Sequence, residues 1–427
     1  NILKAAGANI VEFDEKADIY IVNTCSVTNI ADKKSRQMLH RARKMNPDGI
    51  VIAAGCYVQS AREILEQDEA IDIVISNNKK KSITEIVNDY INVRNNGKNA
   101  PGKDHEAMEY FVDISRETEY EEMGGHVPVG HTRAYVKIQD GCNQFCSYCI
   151  IPYVRGRIRS RSQEAILAEV SELAEAGIKE VVLTGIHISS YGKDKNNGGA
   201  LIELIEAISK IKGIKRIRLG SLEPGIITEE FVERISSNSK VCPHFHLSLQ
   251  SGCDSVLKRM NRKYTCKQYF EKCDMLRKAY KSPALTTDVI VGFPGETEEE
   301  FAETVRYLTE LNLYEMHIFK YSPRKGTVAA AMKEQGAPEI KNERSDVLLK
   351  LAHDNKTAYE AQFEGCELEV LVEEVVKKDN KTYLRGHTER YMDILIDVGD
   401  ISMPESFVNS FVYVTYTQNG GNLPLLL

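Results

Sequence analysis

Short apolar runs alternate with helix-patterned segments along most of the chain, and this βα alternation restricts it to folds built on parallel sheets. The first cycle runs Asp18-Ile-Tyr-Ile-Val-Asn23 and then a helical pattern from Thr28 to Met45. Gly49-Ile-Val-Ile-Ala-Ala54 precedes a helix near Gln59 to Gln67, and Ile71-Asp-Ile-Val-Ile75 precedes one near Ser82 to Val93. In such sheets ligands gather off the C-terminal strand ends, where Cys25 and Cys56 fall. Six further strand candidates follow: Ala134 to Gln139, Glu180 to Thr184, Arg216 to Gly220, His244 to Leu249, Ala284 to Val291 and Tyr314 to Phe319. Their repeat predicts a partial parallel barrel with its active site at the C-terminal strand ends. Near Gln362 the pattern changes to alternating apolar and polar residues, Leu368 to Val376, Tyr383 to Arg385, Tyr391 to Val398 and Phe407 to Tyr416, which predicts a small antiparallel β-barrel.

At 427 residues, two or three domains are expected. No run approaches the roughly eighteen apolar residues of a membrane helix. A net charge of -7 argues against a protein held on nucleic acid by its overall charge, and leaves regional basic clusters as the candidates for phosphate contact. Ten cysteines are too few for a secreted disulfide scaffold and favour a reducing compartment with cluster or metal ligation. Cys242, Cys253, Cys266, Cys273 and Cys366 lack ligand-like grouping and read as packed thiols.

The most informative spacing is Asp140-Gly-Cys142-Asn-Gln-Phe-Cys146-Ser-Tyr-Cys149, a C-x3-C-x2-C loop directly after the first barrel strand. Three thiolates can ligate three irons of a [4Fe–4S] cluster and leave the fourth open to the amino and carboxylate groups of S-adenosylmethionine. The alternative is a zinc knuckle, although zinc prefers four ligands in paired spacing and no fourth lies close in sequence. By position at strand ends, Thr184, Gly185, Ser221, Glu223, Gln250 and Gly292 are candidate cofactor contacts or structural turn residues. Arg155-Gly-Arg157-Ile-Arg159-Ser-Arg161 beside the triad is a candidate phosphate-contacting run. Lys33, Lys34, Arg36, Arg41, Arg43 and Lys44 read better as a solvated helix face, and Lys377, Lys378, Lys381 and Arg385 suit a barrel surface facing RNA.

Across nearly its whole length the chain resembles the radical S-adenosylmethionine methylthiotransferases. The resemblance rests on the triad together with Asn23-Thr-Cys25-Ser-Val-Thr-Asn-Ile-Ala-Asp-Lys33, Ala54-Gly-Cys56-Tyr-Val-Gln59, Leu183-Thr-Gly-Ile-His-Ile-Ser-Ser-Tyr-Gly192, Leu247-Ser-Leu-Gln-Ser-Gly-Cys-Asp254 and Asp288-Val-Ile-Val-Gly-Phe-Pro-Gly-Glu296. It implies an α/β protein with an N-terminal methylthiotransferase domain (1–95, truncated), a central partial (βα)6 radical SAM barrel (132–355) and a TRAM-like RNA-binding β-barrel (356–418); the Gly-, Asn- and Glu-rich residues 96–131 read as a linker and 419–427 as a disordered tail. It also implies two [4Fe–4S] clusters: a radical cluster on Cys142, Cys146 and Cys149, and an auxiliary one whose second and third ligands match Cys25 and Cys56. The first auxiliary ligand has no counterpart after Asn1, so that cluster is expected to be labile in the chain as it stands.

S-Adenosylmethionine is then both methyl donor and radical source, and tRNA, through its anticodon loop, is the expected substrate partner. A reductant such as flavodoxin or ferredoxin, a cytoplasmic location and no membrane association complete the expectation. Thr184 to Gly192, Cys149-Ile-Ile-Pro-Tyr153, Ser251-Gly-Cys253-Asp254 and His317 to Thr327 resemble the threonylcarbamoyladenosine branch, which methylthiolates ring carbon 2 of adenosine-37. The threonyl carboxylate calls for cations, with Arg155, Arg157, Arg324 and Lys325 as candidates, though they equally suit phosphates. The rivals are a ribosomal-protein aspartate methylthiotransferase and a zinc-containing RNA-binding protein without catalysis.

Overall fold

The computed structural model describes residues 2–95, 110–124, 131–379, 381–399, 403–418 and 420–422. The chain forms two compact units. The first comprises Asn1–His126, Gln139–Arg161 and Ser322–Met332; the second comprises Val127–Ile138, Ser162–Tyr321 and Lys333–Leu427.

In the first unit β1 (Ile19–Thr24), β2 (Ile50–Gly55) and β3 (Ile73–Ile75) make a parallel sheet in that order. β2 is buried along its whole length, as a central strand covered on both faces requires. The helix Asn29–Met45 starts where Thr28 caps it by accepting from the Ala31 N–H, and it buries Leu39 and Ala42. Thr24 pairs with Gly55, so Cys25 and Cys56 each follow the end of neighbouring strands.

β4 (Arg133–Asp140) pairs with the two-residue β5 (Arg159–Ser160) on one side and with β6 (Glu180–Gly185), followed by β7 (Arg216–Leu219), on the other. β8 (His244–His246), β9 (Ala284–Val291) and β10 (Glu315–Lys320) form a second parallel group. Parallel bridges Ile217–Val241 and Leu222–Leu247 join the groups, so β4, β6, β7, β8, β9 and β10 form one open, curved sheet. Leu183, Leu219, Leu247, Leu285 and Val289 point away from its concave face into a core shared with the surrounding helices. The helices are well signalled: Ser162 and Thr228 cap two of them, and Thr265 with Gln268 and Thr297 with Glu300 form capping boxes.

Also in the second unit, β11 (Glu367–Lys378), β12 (Lys381–Thr388), β13 (Asp393–Asp397), β14 (Phe411–Thr417) and β15 (Gly420–Asn422) close into a barrel of order β11-β12-β13-β15-β14. At Gly386 an added Cβ would lie 2.1 Å from the Leu371 carbonyl oxygen, so only glycine permits that strand crossing. Two buried arginines of β7 hold this barrel. Arg216 donates to the carbonyls of His387 and Glu369, and Arg218 to those of Thr388 and Glu389. Glu180 sits between them, 2.8 Å from Arg218 Nε and 3.8 Å from Arg216. Burial works to raise its carboxyl, but the Arg218 charge and hydrogen bond outweigh that and hold it below the usual range. Replacing Glu180 by Gln leaves the buried Arg218 guanidinium without its carboxylate, while Arg216 keeps Glu369 Oε1 at 2.9 Å, and is expected to cost about 3–5 kcal/mol. A urea midpoint unchanged from the parent would contradict this.

The compact units depart from the expected boundaries. Residues 110–124, read as linker, pack into the first unit: Tyr110 O accepts from Ser76 N, Val112 N donates to Ser76 Oγ, and Ile114 is buried. The triad segment and Ser322–Met332 also belong to that unit, because they lie among its residues in space although they are distant in the chain. The expected boundary at 356 falls inside the helix Pro338–Ala361, and part of the expected tail forms β15. Of the linker, 96–109 and 125–130 lie outside the described residues, as do 419 and 423–427 of the tail. Cys366 is exposed rather than packed, in a turn pinned by backbone bonds to Phe363 and Tyr416.

Candidate active site

The triad loop begins where β4 ends. Gly141 adopts φ +72°, and a Cβ there would come within 1.8 Å of the Arg157 carbonyl oxygen, so no other residue fits. Asp140 Oδ1 accepts from the Gly141 N–H at 2.8 Å, while Gln139 Nε2 donates to the carbonyls of Asp140 and Gly141. Cys142 N donates to Gly156 O, Ile158 N to Asn143 Oδ1, and Cys149 N to Cys146 O. Residues 156–158 thus clamp the loop from behind. Cys142 is buried and its sulfur accepts from the Gln144 N–H at 3.4 Å; Cys146 and Cys149 are half-buried. Phe145, at φ +50°, packs edge-on against Tyr153, with the Arg157 guanidinium 4.5 Å from its ring centre.

The other two first-unit cysteines differ from each other. Cys25 is exposed and Cys56 buried. Gly55 precedes Cys56 at φ +102°, where a Cβ would meet Thr24 O at 2.5 Å. The Cys56 sulfur accepts from Arg155 Nε at 3.0 Å and, more distantly, from Asn77 Nδ2 at 3.9 Å. Arg155 also reaches Asp140 Oδ2 at 3.3 Å. One guanidinium therefore ties Cys56 to the residue that opens the triad loop. Although burial works against its charge, the Cys56 and Asp140 groups keep Arg155 firmly protonated.

The remaining cationic candidates divide in the same way. Arg324 is buried, with hydrogen bonds to Ser26 Oγ, Asn29 Oδ1 and Asp32 Oδ2 that brace the segment after Cys25. Arg157 and Lys325 are exposed. Of the basic helix face, Lys33, Arg36, Arg41 and Lys44 line a shallow surface groove with Gln37, His40, Ile64 and Asp68.

In the second unit Thr184 and Gly185 end β6, half-buried, and Ser221 is exposed after β7. Glu223 Oε2 lies 3.0 Å from Arg262 and 3.6 Å from His187 Nε2. Gln250 is buried at φ +77°, held by backbone bonds to Asp288 O and from Ile290 N. Gly292, at φ +68°, donates its N–H to Glu296 Oε2, and a Cβ there would strike Lys341 Cγ at 2.4 Å. Arg344 secures Glu296 at 2.7 Å. Arg262 and Arg344 did not emerge from the sequence, and His187 emerged only as a motif residue, because each meets its partner only through the fold. In the terminal barrel Lys377, Lys378 and Lys381 occupy the β11–β12 hairpin tip, Lys381 lying 3.9 Å from Asp397, and Arg385 is neutralised by Asp393 and Glu374.

Comparison with known proteins agrees with this arrangement. Residues 136–308 match the Radical SAM superfamily, and residues 1–76 match the uncharacterized protein family UPF0004. The threonylcarbamoyladenosine tRNA methylthiotransferase MtaB of Bacillus subtilis is 38% identical over 92% of this chain and 85% of its own. The tRNA-2-methylthio-N(6)-dimethylallyladenosine synthase of Thermoanaerobacter pseudethanolicus is 35% identical over 98% of this chain and 86% of its own. Among solved structures, the radical S-adenosylmethionine methyltransferase TsrM of Kitasatospora setae superposes with a TM-score of 0.54 at 16% identity, covering 73% of this chain and 66% of that one, a likeness of fold. The half-barrel, the C-x3-C-x2-C loop closing its first strand and these near-full-length relatives agree: the chain belongs to the radical SAM tRNA methylthiotransferases, enzymes whose cofactors are S-adenosylmethionine and [4Fe–4S] clusters.

Proposed function

We propose that this enzyme methylthiolates carbon 2 of threonylcarbamoyladenosine-37 in the tRNA anticodon loop. The observation that carries the reading is the 38% identity, over 92% of this chain, to a relative named for that nucleoside. Relatives named for dimethylallyladenosine match at 35–37%. Chemistry separates the two substrates, since the threonyl group brings a carboxylate where the dimethylallyl group is apolar. Arg157 and Lys325, both exposed in the first unit, are the cations we assign to that carboxylate or to neighbouring phosphates. Arg155 and Arg324, already bonded within the protein, act as positioning residues.

In this reading Cys142, Cys146 and Cys149 hold the radical cluster, and Cys25 and Cys56 contribute to the auxiliary cluster. Thr184, Gly185, Ser221, Glu223, Gln250 and Gly292 supply the strand ends that receive S-adenosylmethionine. The bound cofactors supply the methyl group, the sulfur and the radical that removes the ring hydrogen. The chain's own residues orient them and exclude water. The terminal barrel presents its lysine-bearing hairpin to RNA. A low-potential reductant such as flavodoxin or ferredoxin and a cytoplasmic location, where tRNA is processed, belong to the same proposal. Among the described residues no helix is long and apolar enough to cross a membrane.

The test is nucleoside mass spectrometry of tRNA from cells with and without the gene. Loss of methylthio-threonylcarbamoyladenosine, with its unmodified precursor accumulating, is the expected result. Unchanged amounts in a deletion strain lacking any paralogue would refute the substrate, and loss of the dimethylallyl product instead would reassign it.

A further inference from the structure

We propose that His246, Asp288 and His317 form a binding site for one divalent transition-metal ion of the zinc class, separate from the cysteines. The three residues lie on the adjacent strands β8, β9 and β10. His246 pairs with Thr286 and His317 with Asp288 across the sheet. Thr286 and Asp288 are two residues apart on one strand, so all four side chains share a face. The opposite face carries Leu285, Val289 and Val291 into the helix-covered core, which leaves the histidine-bearing face as the concave one.

One ligand atom from each residue lies within 4.8 Å of the other two, a group within reach of a single ion. His246 Nδ1 is hydrogen-bonded to Thr286 Oγ1 at 3.0 Å, which orients the ring and directs Nε2 toward Asp288. His246 Nε2 is buried without a hydrogen-bond partner, although Asp288 Oδ2 is 3.4 Å away. The His317 ring stacks on that of His246 at a centroid distance of 5.9 Å. A buried ring nitrogen left without a hydrogen bond beside a carboxylate is unfavourable, and a cation between them would engage both. Imidazole and carboxylate donors suit zinc and its neighbours, and three protein ligands leave a coordination position open to water or an anionic oxygen. The Thr286 bond is the outer-shell support such a histidine usually has.

The site does not depend on the tRNA assignment and is tested apart from it. The reconstituted iron–sulfur enzyme is treated with EDTA, freed of chelator and equilibrated with zinc chloride; bound zinc, iron and acid-labile sulfide are then measured. The parent is expected to bind one more zinc per chain than His317→Gln or His246→Gln at equal iron and sulfide. His317 is exposed, so its variant tests the idea even if the half-buried His246 variant misfolds. Thr286→Val is expected to keep the stoichiometry and weaken zinc binding about 10–100-fold. Equal zinc in the parent and the His317→Gln variant overturns the proposal.

Discussion

Replacing Cys142, Cys146 or Cys149 by Ala is expected to abolish reductive cleavage of S-adenosylmethionine, with 5′-deoxyadenosine falling by more than about 100-fold. That lower bound follows from metal sites in general: losing an outer-shell partner alone costs about 10–100-fold, and here a ligand itself is lost. Gly141→Ala should approach the same result without touching a sulfur, because its Cβ would occupy the space of the Arg157 carbonyl and unseat the loop. Chromatographic quantitation of 5′-deoxyadenosine under dithionite decides the matter. Cleavage surviving in all three cysteine variants would remove the triad from its assigned role.

Changes at Cys56 should act on a different half of the reaction. In enzyme whose auxiliary cluster is fully assembled, Cys56→Ala is expected to leave cofactor cleavage within about twofold of the parent while methylthio product falls by more than about 100-fold. Arg155→Met, which withdraws the guanidinium from the Cys56 sulfur, should move in the same direction with a smaller loss. The two yields, measured on one preparation with its iron and sulfide content, must uncouple. A parallel fall in cleavage and product would mean that Cys56 serves the triad loop itself, through Arg155 and Asp140 or through its packing against Ile150 and Val154.

The distribution of arginines shows why sequence carried the reading as far as it did. Arg155, Arg157, Arg324 and Lys325 look alike as cations near motif residues. In the folded chain two are consumed internally, on partners 99 and 292 positions away, and two are exposed. The linker expectation failed for residues 110–124 on similar grounds: a Glu-rich stretch has no periodicity to announce that Tyr110 and Val112 bond to Ser76.

What the sequence determined by itself was local in origin. Strand and helix positions follow from periodicities of two and 3.6 residues, and β9 runs over the Ala284–Val291 span that its apolar pattern predicts. The triad follows from thiolate spacing on a loop after a strand, and the family from motifs along the whole chain. Only the tertiary structure decided which charges are spent on one another and which residues from distant strands meet. Arg216 and Arg218 hold the terminal barrel, Arg155 reaches Cys56, and His246, Asp288 and His317 share one concave face. Hydrogen bonds and ion pairs act within about 3–4 Å, and sheet register rather than chain spacing brings such groups within that range.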